Sequence, residues 1–488
     1  MFSTLVQKEL KLIIQSPKFL LTFLICFVLV ILSVFIGINE YKAAQKQYET
    51  VRELDKQDIE NARSWMSVSV KPGRKPSPLQ IFTSGTNFDV GRYAFVSEYR
   101  DAGLEHSFYS DDPVFAVFRN FDFSFIVTIV FSLLAILYTY NSINGEREEG
   151  TLKLLFANSI PKAQYILAKI TGIWLGLIIP VILIILISLL LIILNKVPVS
   201  GQEWILIISH LVLSILYFTF FIILGVLFSA RTKKSSISFL LLLVFWISFV
   251  FVVPRVGVMI ASQYTQVPSL SEIESKKASS ENSTWETYFT KNIEMQQKQM
   301  EATSGMSEAE REAFIDEKQY EWTKQEDALR AEQKKKIAEY TEKLNNDYNN
   351  KKEVLEKKAL LFSRFSPASS YNLAVMNICG TDVGMKKRYE TAIHKYKNRL
   401  TEFINKKKEE DGSGGGIRIS VNSETGLTVN DGRKDRKLDV SEMPEFIHPE
   451  QNISIIYSSI AVDFGLLSIY ILLAFGGAVH SFLKYDVR

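Results

Sequence analysis

Cysteine is nearly absent, with two in 488 residues. Cys26 lies inside an apolar run and Cys379 in a polar region, so neither a disulfide framework nor a cysteine metal site is expected. Histidine is scarce as well. His106, His210, His394, His448 and His480 are scattered, and none forms a His-Glu-x-x-His or similar spacing, so no metal site is expected. No Gly-x-x-x-x-Gly-Lys-Ser/Thr loop is present to cradle nucleotide phosphates, and no Gly-x-Ser-x-Gly elbow to carry a nucleophile. An excess of one charge is missing too. The 56 Lys and Arg against 53 Asp and Glu leave a formal +3, which does not point to nucleic acid as a partner. No catalytic residue and no cofactor-binding residue is assigned, and the chain is expected to be non-catalytic.

What the sequence has is segregation. Hydrophobic residues make up 47% and charged residues 22%, but long apolar runs alternate with stretches crowded with Lys, Glu and Gln. A soluble helix mixes these classes over a few residues to make one apolar face. A bilayer core about 30 Å thick needs about 20 apolar helical residues. Six runs qualify: 19–38, 121–140, 170–194, 205–229, 237–256 and 453–483. In the third, Leu175-Gly-Leu-Ile-Ile-Pro-Val-Ile-Leu-Ile-Ile-Leu-Ile is apolar on every face, and Pro180 is tolerable in a membrane. The first run is too long for a cleaved signal core and lacks a small-residue cleavage pattern, so it reads as a retained helix.

Lys and Arg near the span ends set the orientation. Lys8, Lys11 and Lys18, then Arg147, Lys153, Lys162 and Lys169, then Arg231, Lys233 and Lys234, then Lys484 and Arg488 fall on one side. The short loop on the other side carries only Lys196. Both termini are therefore expected to be cytoplasmic, with 39–120 and 257–452 outside the membrane. Residues 1–18 place Leu5, Glu9, Leu12 and Ile13 at helical spacing before Pro17, which reads as an amphipathic helix on the inner surface.

The outer regions read differently from each other. Lys71-Pro-Gly-Arg-Lys-Pro-Ser-Pro-Leu is expected to be extended. In the second region, Ser307-Glu-Ala-Glu opens a long run without glycine or proline, the pattern of a capped helix of about 50 residues. Residues 284–300 supply an antiparallel partner, with Ser304-Gly305 as the turn, so a helical hairpin or coiled coil is expected. Residues 386–408 read as another helix. Asp411-Gly-Ser-Gly-Gly-Gly reads as a flexible turn, and Ile417-Arg-Ile-Ser-Val with Leu427-Thr-Val as a small β element. The fold class is thus mainly α: six transmembrane helices and a large, mostly helical extracytoplasmic domain.

Asp122, Arg255 and Asp463 sit at or within the spans, where charge is costly, so each must pair or face a polar cavity. They read as a gate or substrate contact near the outer exit, or as a static clamp between spans two, five and six. The sharpest signal is in the connection 141–169. There Glu146, Glu148 and Glu149 open a short amphipathic helix, Gly150 permits a bend, and Thr151, Leu152 and Leu155 offer an apolar edge. Such a loop can dock a cytoplasmic partner and pass its motion into spans two and three.

These residues resemble the ABC-2-type permeases of ABC exporters. The features are a Glu-x-Glu-x-Gly-Thr-Leu run at 146–152, a small-residue, Pro and basic stretch at 158–162, a Lys-x-x-Gly start to the third span at 169–172, and Lys8-Glu9-Leu10. Pro76-Ser-Pro-Leu, Asp122-Phe123, Ser132-Leu-Leu-Ala, Pro268-Ser269, Ser366-Pro367 and Tyr485-Asp-Val-Arg are similar to the subgroup with large outer insertions, related to the nitrous-oxide-reductase maturation permease. Phe156-Ala157 and Lys162 depart from the commoner Leu-Ser-like pair and Arg. The resemblance implies a bacterial inner-membrane exporter subunit. Its partners would be the lipid bilayer, a separate ABC ATPase docked at 146–155, and a second permease, identical or paralogous. ATP and Mg would be held by the ATPase, not by this chain. An alternative is mechanotransmission, in which the hairpin relays ATPase motion to an extracytoplasmic protein without translocating a substrate.

Overall fold

The computed structural model describes residues 2–98, 103–105, 107, 121–157, 160–410, 418–422, 426–430, 438–449 and 452–484. Among the described residues, six helices are long and apolar enough to cross a membrane: Pro17–Glu60, Phe123–Glu148, Lys162–Leu194, Gly201–Arg231, Ser235–Tyr264 and Ile453–Leu483. The fold is mainly α and polytopic, as the sequence implies. It divides into two compact units, one of 1–252 with 366–488, the other Val253–Phe365.

In the larger unit, burial sorts the spans. The apolar windows of the second and fourth are each 61% buried, against 28% for the first and 22% for the sixth. The second and fourth therefore form the interior. The first and sixth turn side chains such as Leu20, Leu21, Leu472 and Leu473 outward, where lipid is their natural solvent. The fourth span starts at a capping box between Ser200 and Glu203.

The first span is a 44-residue helix that continues past the apolar run to Glu60. At 1.5 Å per residue it rises about 66 Å, roughly twice the hydrocarbon thickness. It persists because 39–60 contains neither glycine nor proline. One end of this unit, here called the insertion end, carries the segments between the first and second spans and the helix Met385–Glu410. There Ile393, Tyr396, Leu400 and Ile404 pack with Trp65, Val68, Val70, Ala94 and Val96 in a second apolar core.

A 13-residue helix, Pro367–Cys379, is buried within the larger unit. Ser366 caps it, Pro367 begins it, and Gly380 ends it in the left-handed conformation. It packs on the fourth and sixth spans, with Tyr371 stacked on Tyr217 and its hydroxyl 2.9 Å from Ser214 Oγ. At about 20 Å it is too short to cross a bilayer.

In the smaller unit, Leu270–Ala302 packs against the 56-residue helix Glu308–Ser363. A turn with Gly305 at φ 93° joins them, and a capping box of Ser307 and Glu310 starts the second helix. This is the expected hairpin, longer than 284–300 on its first arm. Its core is thin, built on Ile273 and Tyr288, while Leu270, Phe289, Ile293 and Met300 are exposed. In the larger unit, Arg418–Asn422 pairs antiparallel with Gly426–Asn430, Arg418 opposite Asn430. The glycine run 411–416 lies outside the described residues.

Candidate coupling site

The opposite end of the larger unit, here called the loop end, gathers the N-terminal helix and the connection after the second span. Phe2–Ile14 is amphipathic, and Glu9 and Ile13 are its buried residues. The side carrying Val6, Glu9 and Ile13 lies on the third span. Gly172 allows the contact, because a Cβ there would stand 2.5 Å from Glu9 Cβ, and one at Gly176 would stand 3.0 Å from Ile13 Cδ1. Small residues four apart let two helices approach closely in a membrane.

That approach brings Glu9 onto a buried ion cluster. Lys169 Nζ lies 2.9 Å from Glu9 Oε1 and 2.9 Å from Glu146 Oε1, and its side chain is 3% exposed. Lys8 Nζ adds a contact of 3.0 Å to the same Glu146 oxygen. Tyr165 donates its hydroxyl to Glu146 Oε2. Burial pushes the Glu9 carboxyl above its ordinary range, and the Lys169 ammonium pulls it back. Three segments distant in sequence are therefore tied through one ammonium group. Buried ions hold their partners firmly because none can separate without stranding a charge.

The same connection is fastened on its other side. Asn144 is fully buried. Its Nδ2 donates to Thr232 Oγ1 at 3.0 Å, and its Oδ1 accepts from Ser229 Oγ and Ser235 Oγ, both at 3.1 Å. Glu148 Oε1 accepts from Ser235 N at 2.9 Å and Oε2 from Ser235 Oγ at 2.8 Å, at the start of the fifth span.

The predicted coupling residues thus separate into two sets. Glu146 faces inward to protein partners, Glu148 is exposed but held by Ser235, and Leu152 is 1% exposed in the core. Leu155 is partly buried against that core. Glu149, Gly150 and Thr151 face outward, joined by Lys153 and Leu154, the last 69% exposed. Gly150 has φ 73°, which turns the chain from Asn144–Glu148 into Thr151–Ala157. Sequence reasoning missed Tyr165, Asn144, Ser229 and Ser235, and it gave Lys169 only as an orientation marker and a motif position. Lys8-Glu9 and the Lys-x-x-Gly spacing were visible, but nothing in a linear sequence pairs them.

The three intramembrane charges do not share one environment. Asp122 caps the second span: Oδ1 accepts from Phe125 N at 2.8 Å, and Oδ2 from Ser84 N at 2.9 Å and Ser84 Oγ at 3.0 Å. Amide and hydroxyl donors, not a cation, hold it. Asp122→Ala removes a cap and orphans Ser84 N–H. It is expected to cost about 1–3 kcal/mol, read as a lower midpoint of thermal unfolding in detergent. Asp463 is fully buried in the sixth span. Arg255 lies on Val253–Tyr264, in the smaller unit. Among the described residues no group of three His, Cys, Asp or Glu is placed to hold a metal ion.

Six spans, with their connecting loop locked into them by buried ions, define a multi-pass membrane component. The family model described as ABC-2 family transporter protein matches residues 3–487. The chain belongs to that family and is a membrane component of an ABC transporter. No curated protein matches it.

Proposed function

We propose that this chain is the permease subunit of an ABC-type exporter, coupling ATP hydrolysis by a separate ATPase to outward movement of a substrate. The observation that carries the reading is the loop at 141–157. One face is exposed at Glu149, Thr151, Lys153 and Leu154, and the other is fastened by Glu146, Asn144 and Glu148 to the N-terminal helix and to spans three, four and five. A push on the exposed face moves all of these together. ATP drives the cycle only if the ATPase binds two arrangements of the spans unequally, and a fastened loop converts docking into that difference. In this reading the loop end and both termini are cytoplasmic, in the inner membrane of a bacterium. A second permease, identical or paralogous, completes the path. The chain binds no cofactor and catalyses nothing itself; ATP and Mg belong to the ATPase. The likeness to the subgroup with large outer insertions is part of the same reading.

A second reading, mechanotransmission to an extracytoplasmic partner, draws on the smaller unit. Phe289, Ile293 and Met300 fall on one helical face and are 59%, 56% and 67% exposed.

The test is co-purification with the ATPase encoded beside this chain. Glu149→Lys with Leu154→Asp alters only exposed positions and is expected to release the ATPase while leaving the permease folded. Retention of the ATPase by that variant would contradict docking at this face.

A further inference from the structure

The first arm of the hairpin, Leu270–Ala302, presents two stripes. One closes the hairpin: Tyr288 is buried there and donates its hydroxyl to Glu326 Oε1 on Glu308–Ser363 at 3.2 Å. The other begins about 100° round the helix, at Phe289. Phe289, Ile293, Gln296 and Met300 are all exposed and follow one another at steps of four, three and four residues. That is the a and d spacing by which one helix of a two-stranded coiled coil meets another.

The residues in and beside this seam select its occupant. Its flanks, Thr290, Asn292, Gln297 and Gln299, carry no charge. Lys291, Glu294, Lys298 and Glu301 lie more than about 100° from its centre. Flanking charges set partner choice in coiled coils, and like charges brought together repel. A seam with neutral flanks meets its own copy without that cost. Gln296 points the same way. An amide both donates and accepts, so two of them in register satisfy each other, whereas an apolar groove would bury the amide unpaired. Glu286, one turn before Phe289, ends the seam, because two identical copies would repel there. Four positions are too few to pair free chains, but two copies held in one bilayer meet at a high effective concentration.

We propose that this face binds the same face of a second copy of this chain, the two Leu270–Ala302 helices side by side and in register. Ile293 and Gln296 then each meet their own counterpart. The proposal rests on the part of the functional reading that calls for a second permease, and it makes that permease an identical chain. It involves neither the ATPase nor the loop at 141–157, so its failure leaves ATPase docking standing.

The experiment is mild oxidation of membranes in which two differently tagged forms of the full-length chain are co-expressed, each carrying the same single substitution. Cys26 and Cys379 are buried, so the unsubstituted chain gives the background. Ile293→Cys and Gln296→Cys are each expected to give a disulfide-linked dimer carrying both tags, because facing positions fall within the Cα separation a disulfide spans, about 4.4–6.8 Å. Lys298→Cys, on the far face, is expected to give none. Phe289→Asp added to Ile293→Cys puts two like charges into the seam and is expected to cut the dimer at least ~10-fold. Every substituted position is exposed, so the variants fold. No dimer from either seam variant, an equal dimer from Lys298→Cys, or an adduct joining one tag to a different protein overturns the proposal. The last of these outcomes favours an extracytoplasmic partner or a paralogous permease on this face.

Discussion

Lys169→Met is expected to be the most damaging single substitution at the loop end. It leaves Glu9 and Glu146 buried with one ammonium, that of the half-exposed Lys8, between them. Breaking a buried ion pair by removing one partner costs about 3–5 kcal/mol, because the remaining charge cannot reach water. The readout is a large loss of monodisperse protein after detergent extraction, with a lower unfolding midpoint. The triple variant Lys169→Met, Glu9→Gln, Glu146→Gln removes the stranded charges and is expected to recover most of that loss. If Lys169→Met behaves like wild type, the ion cluster does not hold this end together. The single and triple variants separate stability from coupling: the triple protein folds but no longer links the loop to the N-terminal helix by charge.

Gly172→Leu is the second. The helix Phe2–Ile14 approaches the third span so closely that even a methyl group at Gly172 meets Glu9 Cβ at 2.5 Å and Val6 O at 3.2 Å. A leucine cannot fit without lifting that helix away, which also withdraws Glu9 from Lys169. The expected result is that Lys8 and Lys11 become trypsin-sensitive in the folded protein, with the six spans still inserted. Overpacking a tight contact costs about 1–3 kcal/mol, and here the loss of an ion pair is added. An unchanged digestion pattern would contradict this packing.

The spans were legible because a bilayer leaves a helix no polar face to keep, and runs such as 175–187 are apolar all round. The hairpin was legible from its capping box and its freedom from glycine and proline. Less visible was the continuation of the first helix to Glu60, since 39–60 gives no apolar signal and the prolines beyond it favour an extended region. Pro367–Cys379 was hidden in a polar stretch, and its 13 residues are too few for a span signal. At the coupling loop, the sequence showed that acids and leucines were present but not which way they faced. Leu152 and Leu154 are two residues apart on one short helix, and only the packing puts the first in the core and the second outside. Lys169 served as an orientation marker in the sequence, while in the fold it is a buried ion. Charge counting treats all lysines alike; burial does not.

The central claim, that the exposed face of the 141–157 loop receives the ATPase, has a direct test. Cys26 and Cys379 are each 2% exposed, so Leu154→Cys supplies the one accessible thiol among the described residues. A thiol-directed photo-crosslinker on that residue, in membranes containing both proteins, should yield a permease–ATPase adduct. The same reagent on Lys75→Cys, at the insertion end, should yield none. An adduct from Lys75→Cys, or none from Leu154→Cys while the ATPase is bound, would contradict the account.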